Sequence, residues 1–186
     1  MKKVKITILT LVLALIMIPS FVSCKGDNKD EIETYQSTIN ENVKTSTKVE
    51  TVLTIKDSDV VVYNQIKTIT IVDETKATVV FTTTSLDDNF ELVTSKDTEI
   101  IENLKVADLF SLTLQKDLFK SYTLKDNNFN GEIAKENISK VFNSDIKTKD
   151  IAKLSITFEN NKIKKIECTY VTETNRVVTL CTTYEY

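Results

Sequence analysis

The sequence has no histidine and no tryptophan, and only one proline, two glycines and a single arginine, Arg176. The missing histidine removes the commonest general base and the commonest transition-metal ligand. It also excludes Ser-His and Cys-His nucleophile pairs. Gly26 and Gly131 stand alone, so no glycine-rich phosphate loop can form. Nucleic acid wants a basic face and bidentate arginines, and this 186-residue chain carries 24 basic against 27 acidic residues, a net charge of −3. Without Lys2, Lys3 and Lys5 the basic count falls to 21, and the net charge to −6. A nucleic acid partner is therefore not expected. No cofactor motif or catalytic constellation is left either, so the sequence does not read as an enzyme.

What is present begins with the first two dozen residues. Lys2, Lys3 and Lys5 precede an apolar run, Ile6 to Ile18, interrupted only by Thr7 and Thr10. Pro19 and Ser20 end the run, Phe21-Val22-Ser23-Cys24 follows, and the chain then turns polar. A basic start, an apolar core of about 7–15 residues and a small residue before the cut mark a secretory signal peptide. The run is short for a spanning helix, which needs about 20 apolar residues. The tetrapeptide ending at Cys24 resembles the lipobox of bacterial lipoprotein precursors, with Val22, Ser23 and Cys24 matching and Phe21 standing where leucine is usual. That resemblance implies a diacylglyceryl group on the Cys24 thiol and cleavage before it. The protein would then sit on the outer face of the cell membrane, held by acyl chains at about 0.8 kcal/mol per buried methylene. Residues 1–23 read as signal peptide, 24–30 as lipidated cysteine and polar tether, and 31–186 as a single domain.

Ile32, Tyr35, Ile39 and Val43 recur at helical spacing, which predicts an amphipathic helix over Glu31 to Asn42. From Thr47 the period changes to two. Strands are predicted at 47–56, 60–71, 76–84 and 90–94, rich in the β-branched residues that suit a pleated surface. Their breaks are runs of Asp, Asn and Ser, which tolerate positive φ where glycine is scarce. Residues 99–122 fit neither period cleanly. A short helix is predicted at 134–143, and three strands at 154–158, 163–171 and 177–186.

Two cysteines remain beyond Cys24. A five-residue turn at Thr172 to Arg176 sets Cys168 opposite Leu180 and puts Cys181 on the other face. A disulfide would need a one-residue slip that turns the apolar set outward, so two free thiols are expected.

One loop carries candidate metal chemistry. Asp126, Asn128 and Asn130 stand at positions one, three and five of a stretch that resembles an EF-hand calcium loop, with Glu132 at seven, Gly131 at the turn position and Ile133 at eight. The resemblance implies oxygen ligands from Asp126, Asn128, Asn130 and Glu132. Position twelve is Asn137 rather than the bidentate glutamate, so the implied site is weakly charged. The plainer reading of the same residues is a polar hairpin turn, since Asn130-Gly131 is itself a turn signal.

The expected fold is α+β: a mainly antiparallel, twisted sheet of about seven strands with two or three helices on one face. In element order and leader this resembles the half-barrel envelope lipoproteins, in which sheet and helices enclose an apolar pocket. A cystatin-like sheet-on-helix arrangement fits the same order. The functional expectation is a membrane-anchored binding module for a lipid or other apolar ligand. The alternative is a structural or protein-interaction lipoprotein with no small ligand.

Overall fold

The computed structural model describes residues 29–73, 75–102 and 112–186. The leader, Cys24 and most of the tether lie outside the described residues, as do Glu74 and residues 103–111. A helix, α1 (Lys29–Thr45), precedes four strands: β1 (Lys48–Asp57), β2 (Val60–Asp73), β3 (Lys76–Leu86) and β4 (Leu92–Glu102). A 3-10 turn at Lys116–Leu118 leads into β5 (Phe119–Lys125) and β6 (Asn128–Ile133). A second 3-10 turn, Lys135–Asn137, runs into the five-residue helix α2 (Ile138–Phe142). Three strands close the chain: β7 (Ala152–Glu159), β8 (Lys162–Val171) and β9 (Val177–Glu185).

These strands form one antiparallel sheet in the order β4-β3-β2-β1-β9-β8-β7-β6-β5. It is two meanders joined where the first strand pairs with the last, Val49 opposite Tyr184 and Leu53 opposite Leu180. The expected α+β class is met in a sheet-dominated form. Among the described residues nine strands stand in place of about seven, and one long helix and one short one in place of two or three helices. The additional pair is β5 and β6. Their alternation is present in the sequence, with Phe129, Gly131 and Ile133 on one face and Asn128, Asn130 and Glu132 on the other, but short polar strands resemble a loop. The fourth strand also runs past Thr94 to Glu102. The predicted helix at 134–143 shrinks to a 3-10 turn and a single α turn.

Turns fall where Asn and Asp predict them. Positive φ occurs at Asp59, Asp126, Asn127, Asn143, Asn160, Asn161 and Asn175, with Ser58 and Phe90 the other two positions among the described residues. Ser58-Asp59, Asp126-Asn127 and Asn160-Asn161 place both central residues there, as tight two-residue hairpins require. The β5–β6 turn is thus Asp126-Asn127. Asn130-Gly131, expected to turn, lies within a strand.

Gly131 is needed for another reason. A Cβ at this position would meet Phe119 Cδ1 at 2.7 Å and Phe129 Cε1 at 2.8 Å. The missing side chain lets these rings meet edge to face, their centroids 5.1 Å apart, an arrangement that adds to the area they bury.

The core lies between the inner sheet face and α1. Ile32, Ile39 and Val43 on the helix are at most 3% exposed. Beneath them and under residues 112–118 and 138–142, Phe129, Ile133, Ala152, Ile156 and Ile163 are fully enclosed. Two polar side chains fix the helix. The Asn42 carbonyl accepts from Ile163 N at 2.8 Å and from the Tyr186 hydroxyl at 2.9 Å, while its amide donates to Thr38 O and Asn161 O. The Gln36 side chain stands in for a strand edge, accepting from Leu114 N and donating to Leu112 O. Both satisfy backbone groups that burial would otherwise leave unpaired.

Candidate functional site

The inner face of the sheet changes character along its width. In β6, β7 and β8 its residues are buried. In β1, β2, β3 and β9 an apolar band continues, but its side chains are only half-covered: Leu53, Ile55, Tyr63, Phe81 and Leu180, with Tyr170 of β8 beside them. Register makes the band continuous. Ile55 lies opposite Tyr63 on one side and Val178 on the other, Leu53 opposite Leu180, and Tyr170 opposite Val178. Towards β3 the face turns polar. Gln65 donates to Thr83 Oγ1 at 3.1 Å. Lys67 lies across from Phe81, its Nζ 5.8 Å from the ring centroid. The Lys67 ammonium makes no ion pair within the described residues. This combination, an apolar floor with a cation at its margin, suits an amphiphile with an anionic head.

The outer face is polar and threonine-rich. A hollow of about 440 Å³ lies over β5–β8 and is lined by Ser121, Thr123, Asn130, Glu132, Lys153, Ser155, Glu167 and Thr169 together with intervening backbone. Two further hollows, about 480 and 190 Å³, flank Tyr35 where α1 meets the β5–β6 turn and Phe158.

The residues predicted to hold a cation fall into this setting. Asp126 sits at the tip of the β5–β6 turn, its carboxylate 3.8 Å from Lys125 Nζ. The Asn128 amide donates to Asp126 O at 2.9 Å. Asn130 and Glu132 follow on the outer face of β6, where Glu132 accepts from Ser121 Oγ at 3.1 Å. Alternate residues of a strand stand about 6.6 Å apart, and calcium is held at about 2.3–2.6 Å. Strand geometry therefore spreads Asn128, Asn130 and Glu132 along a line instead of gathering them about a point. The hollow on the outer face could have been found from the sequence only by recognising β6 as a strand.

Cys168 and Cys181 are both free, the first buried inside and the second part-exposed on the outer face, as the parity of the hairpin requires. Burial pushes the Cys168 thiol up to about 12. Burial likewise raises Tyr186 to about 12, and Tyr184 above its usual range. No group of three or more Cys, Asp or Glu side chains among the described residues is placed to hold a metal ion. No helix of the described residues is long and apolar enough to cross a membrane.

No protein-family model matches the chain, and no curated protein does. Solved structures give weak likenesses. One is the crystal structure of LprF from Mycobacterium bovis, with a TM-score of 0.44 and 10% sequence identity over 84% of this chain and 92% of that one. Another is the CurK dehydratase, solved as an inactive mutant, with a TM-score of 0.22 and 9% identity over 81% of each chain. At these values neither assigns the chain a family, a ligand or an activity.

Proposed function

We propose that the protein is an extracytoplasmic lipoprotein, anchored through acyl chains on Cys24, whose domain acts by binding an amphiphile rather than by catalysis. The supporting observation is the half-covered apolar band of Leu53, Ile55, Tyr63, Tyr170 and Leu180 beside Lys67. A lipid tail laid on that band would bury surface worth about 25 cal/mol per Å². Lys67 would face its head. Native mass spectrometry of the full chain, released from detergent in the gas phase, tests this. One bound lipid per chain is expected for the wild type and none for Leu53→Asp. A lipid-free wild type, or a lipid retained equally by Leu53→Asp, removes the reading.

A second reading, protein interaction, is favoured by one observation. β4 is one of the two sheet edges among the described residues, β5 being the other, and its side chains are exposed over nearly its whole length, with Leu92 62% and Ile100 60% exposed. Its charges guard against its own copies. Twofold antiparallel pairing about Lys96, Asp97 or Thr98 would set Lys96 against Lys96, Asp97 against Asp97, or Asp97 against Glu99, each a repulsive contact. A different extended chain would meet no such penalty. Native mass spectra free of lipid, together with cross-links from Lys96 to another envelope protein, would favour this reading over the first.

A further inference from the structure

We infer that the outer hollow over β5–β8 is a second binding site, for a neutral glycan bearing acetamido groups. It lies on the face of the sheet opposite the apolar band and rests on separate observations. Its lining is a regular grid. Ser121, Glu132, Lys153 and Thr169 are cross-strand neighbours in one row, and Thr123, Asn130, Ser155 and Glu167 in the next. Elsewhere the sheet's hydroxyl and amide side chains satisfy one another across strands: Thr51 with Thr182 at 3.1 Å, Asn64 with Thr54 at 3.2 Å, Thr84 with Thr94 at 2.9 Å. Over the hollow, Thr123, Asn130, Lys153, Ser155 and Thr169 make no side-chain hydrogen bond or ion pair within the described residues. Five polar groups are thus fixed by strand geometry with their bonding capacity free.

Charge narrows the ligand. The lining carries Glu132, Glu167 and Lys153; Lys165, beside the hollow, is ion-paired to Glu167 and Lys153 offsets Glu132, so no net charge is left over the site. Polyanions and polycations gain nothing from it. Glu132 and Lys153 are direct cross-strand partners, with Cβ atoms about 5 Å apart in such pairs. They form no ion pair with each other. A carboxylate acceptor and an ammonium donor at that spacing complement the N–H and C=O of one acetamido group. Ser155, Thr169, Thr123 and Asn130 supply the partners that ring hydroxyls need. A peptide is the poorer fit, because the free main-chain edge beside the hollow is that of β5, and a strand added there would extend the sheet away from the side chains of β6, β7 and β8. With Glu167 held by Lys165, Glu132 is the one lining carboxylate outside an ion pair, so no free pair of carboxyls remains to cleave a glycosidic bond and the site holds its ligand.

Amide NMR of the full chain in detergent micelles, titrated with the N-acetylglucosamine tetramer to millimolar concentration, tests the site. Perturbations are expected at outer-face residues of β5–β8. Lys153→Ala should weaken binding about tenfold, and cellotetraose, which has hydroxyls but no acetamido groups, should bind about tenfold more weakly than the amino sugar. Ser155→Arg, which fills the hollow from the solvent side, should abolish binding, and Thr84→Val on β3 should leave it unchanged. No perturbation at millimolar sugar, perturbations elsewhere, unchanged binding by Ser155→Arg, or response to a neutral tetrapeptide instead would each overturn the proposal.

Discussion

The two meanders of this sheet share a strand geometry and differ in what covers them. In the second, β5–β9, the inner residues Phe129, Ile133, Ala152, Ile156 and Ile163 are fully enclosed beneath α1 and residues 112–118 and 138–142. In the first, β1–β4, only the end nearest α1 is sealed, at Val49, Ile69, Ala77 and Val79. Further along those strands the inner face stays half-open, and β4 is exposed almost throughout. Coverage thus differs between the halves of one sheet, with β9 at the boundary: its Val178 and Tyr184 are buried and its Leu180 is half-covered. The packed meander supplies most of the core, and the open one, with Leu180 of β9, retains the apolar surface on which the proposed ligand would lie.

Core deletions break this comparison most strongly. Phe129→Ala should cost about 3–5 kcal/mol, the range for emptying an enclosed aromatic site. Phe81→Ala on the open meander should cost well under half of that, because its ring is only half-covered. Urea unfolding measures both, and equal losses would mean that the two halves are equally packed. Next in size is Asn42→Ala, which strands Ile163 N–H while the Tyr186 hydroxyl keeps Ile163 O as its acceptor; a loss of about 1–3 kcal/mol is expected. A similar loss, about 1–3 kcal/mol, should follow Gly131→Ala, since its methyl must displace Phe119 or Phe129.

Alkaline pH gives a smaller effect located in the same half. The Cys168 thiol is raised from 9.0 to about 12 by burial. Between those values the unfolded chain has lost this proton and the folded chain keeps it, so stability is full below about pH 9 and falls as pH rises towards 12. Cys168→Ala should flatten that slope, and an unchanged slope would assign it to the raised tyrosines, Tyr184 and Tyr186. At neutral pH an alkylating reagent should modify part-exposed Cys181 and spare Cys168. The smallest effect belongs to the open meander: Ile100→Thr on β4 should change stability by less than about 0.5 kcal/mol.

Much of this was legible in the sequence, for identifiable reasons. The α1 stripe and seven of the strands follow from period alone, and the turns from Asn and Asp where glycine is absent. The parity of Cys168 and Cys181 followed from the length of one turn. What escaped was local sequence that resembles something else. Asp126 to Ile133 matches a cation loop in spacing, yet Phe129 and Ile133 draw it into the core as a strand, and burial of that aromatic outweighs the turn propensity of Asn130-Gly131. The outer hollow stayed hidden for the same reason, because its grid exists only once β6 is placed between β5 and β7. The open band on β1, β2 and β9 was equally invisible, since Leu53 and Ile156 read alike in sequence. Only the element above each decides which is sealed.

Hydrogen–deuterium exchange of the full chain with and without dodecanoate, an amphiphile with an anionic head, tests this division most directly. Slower exchange in β1, β2 and β9, with β6 and β7 unchanged, is the result that a packed half and a ligand-holding half predict. Protection confined to β6 and β7, or no change in β1, β2 and β9 at saturating dodecanoate, would contradict it.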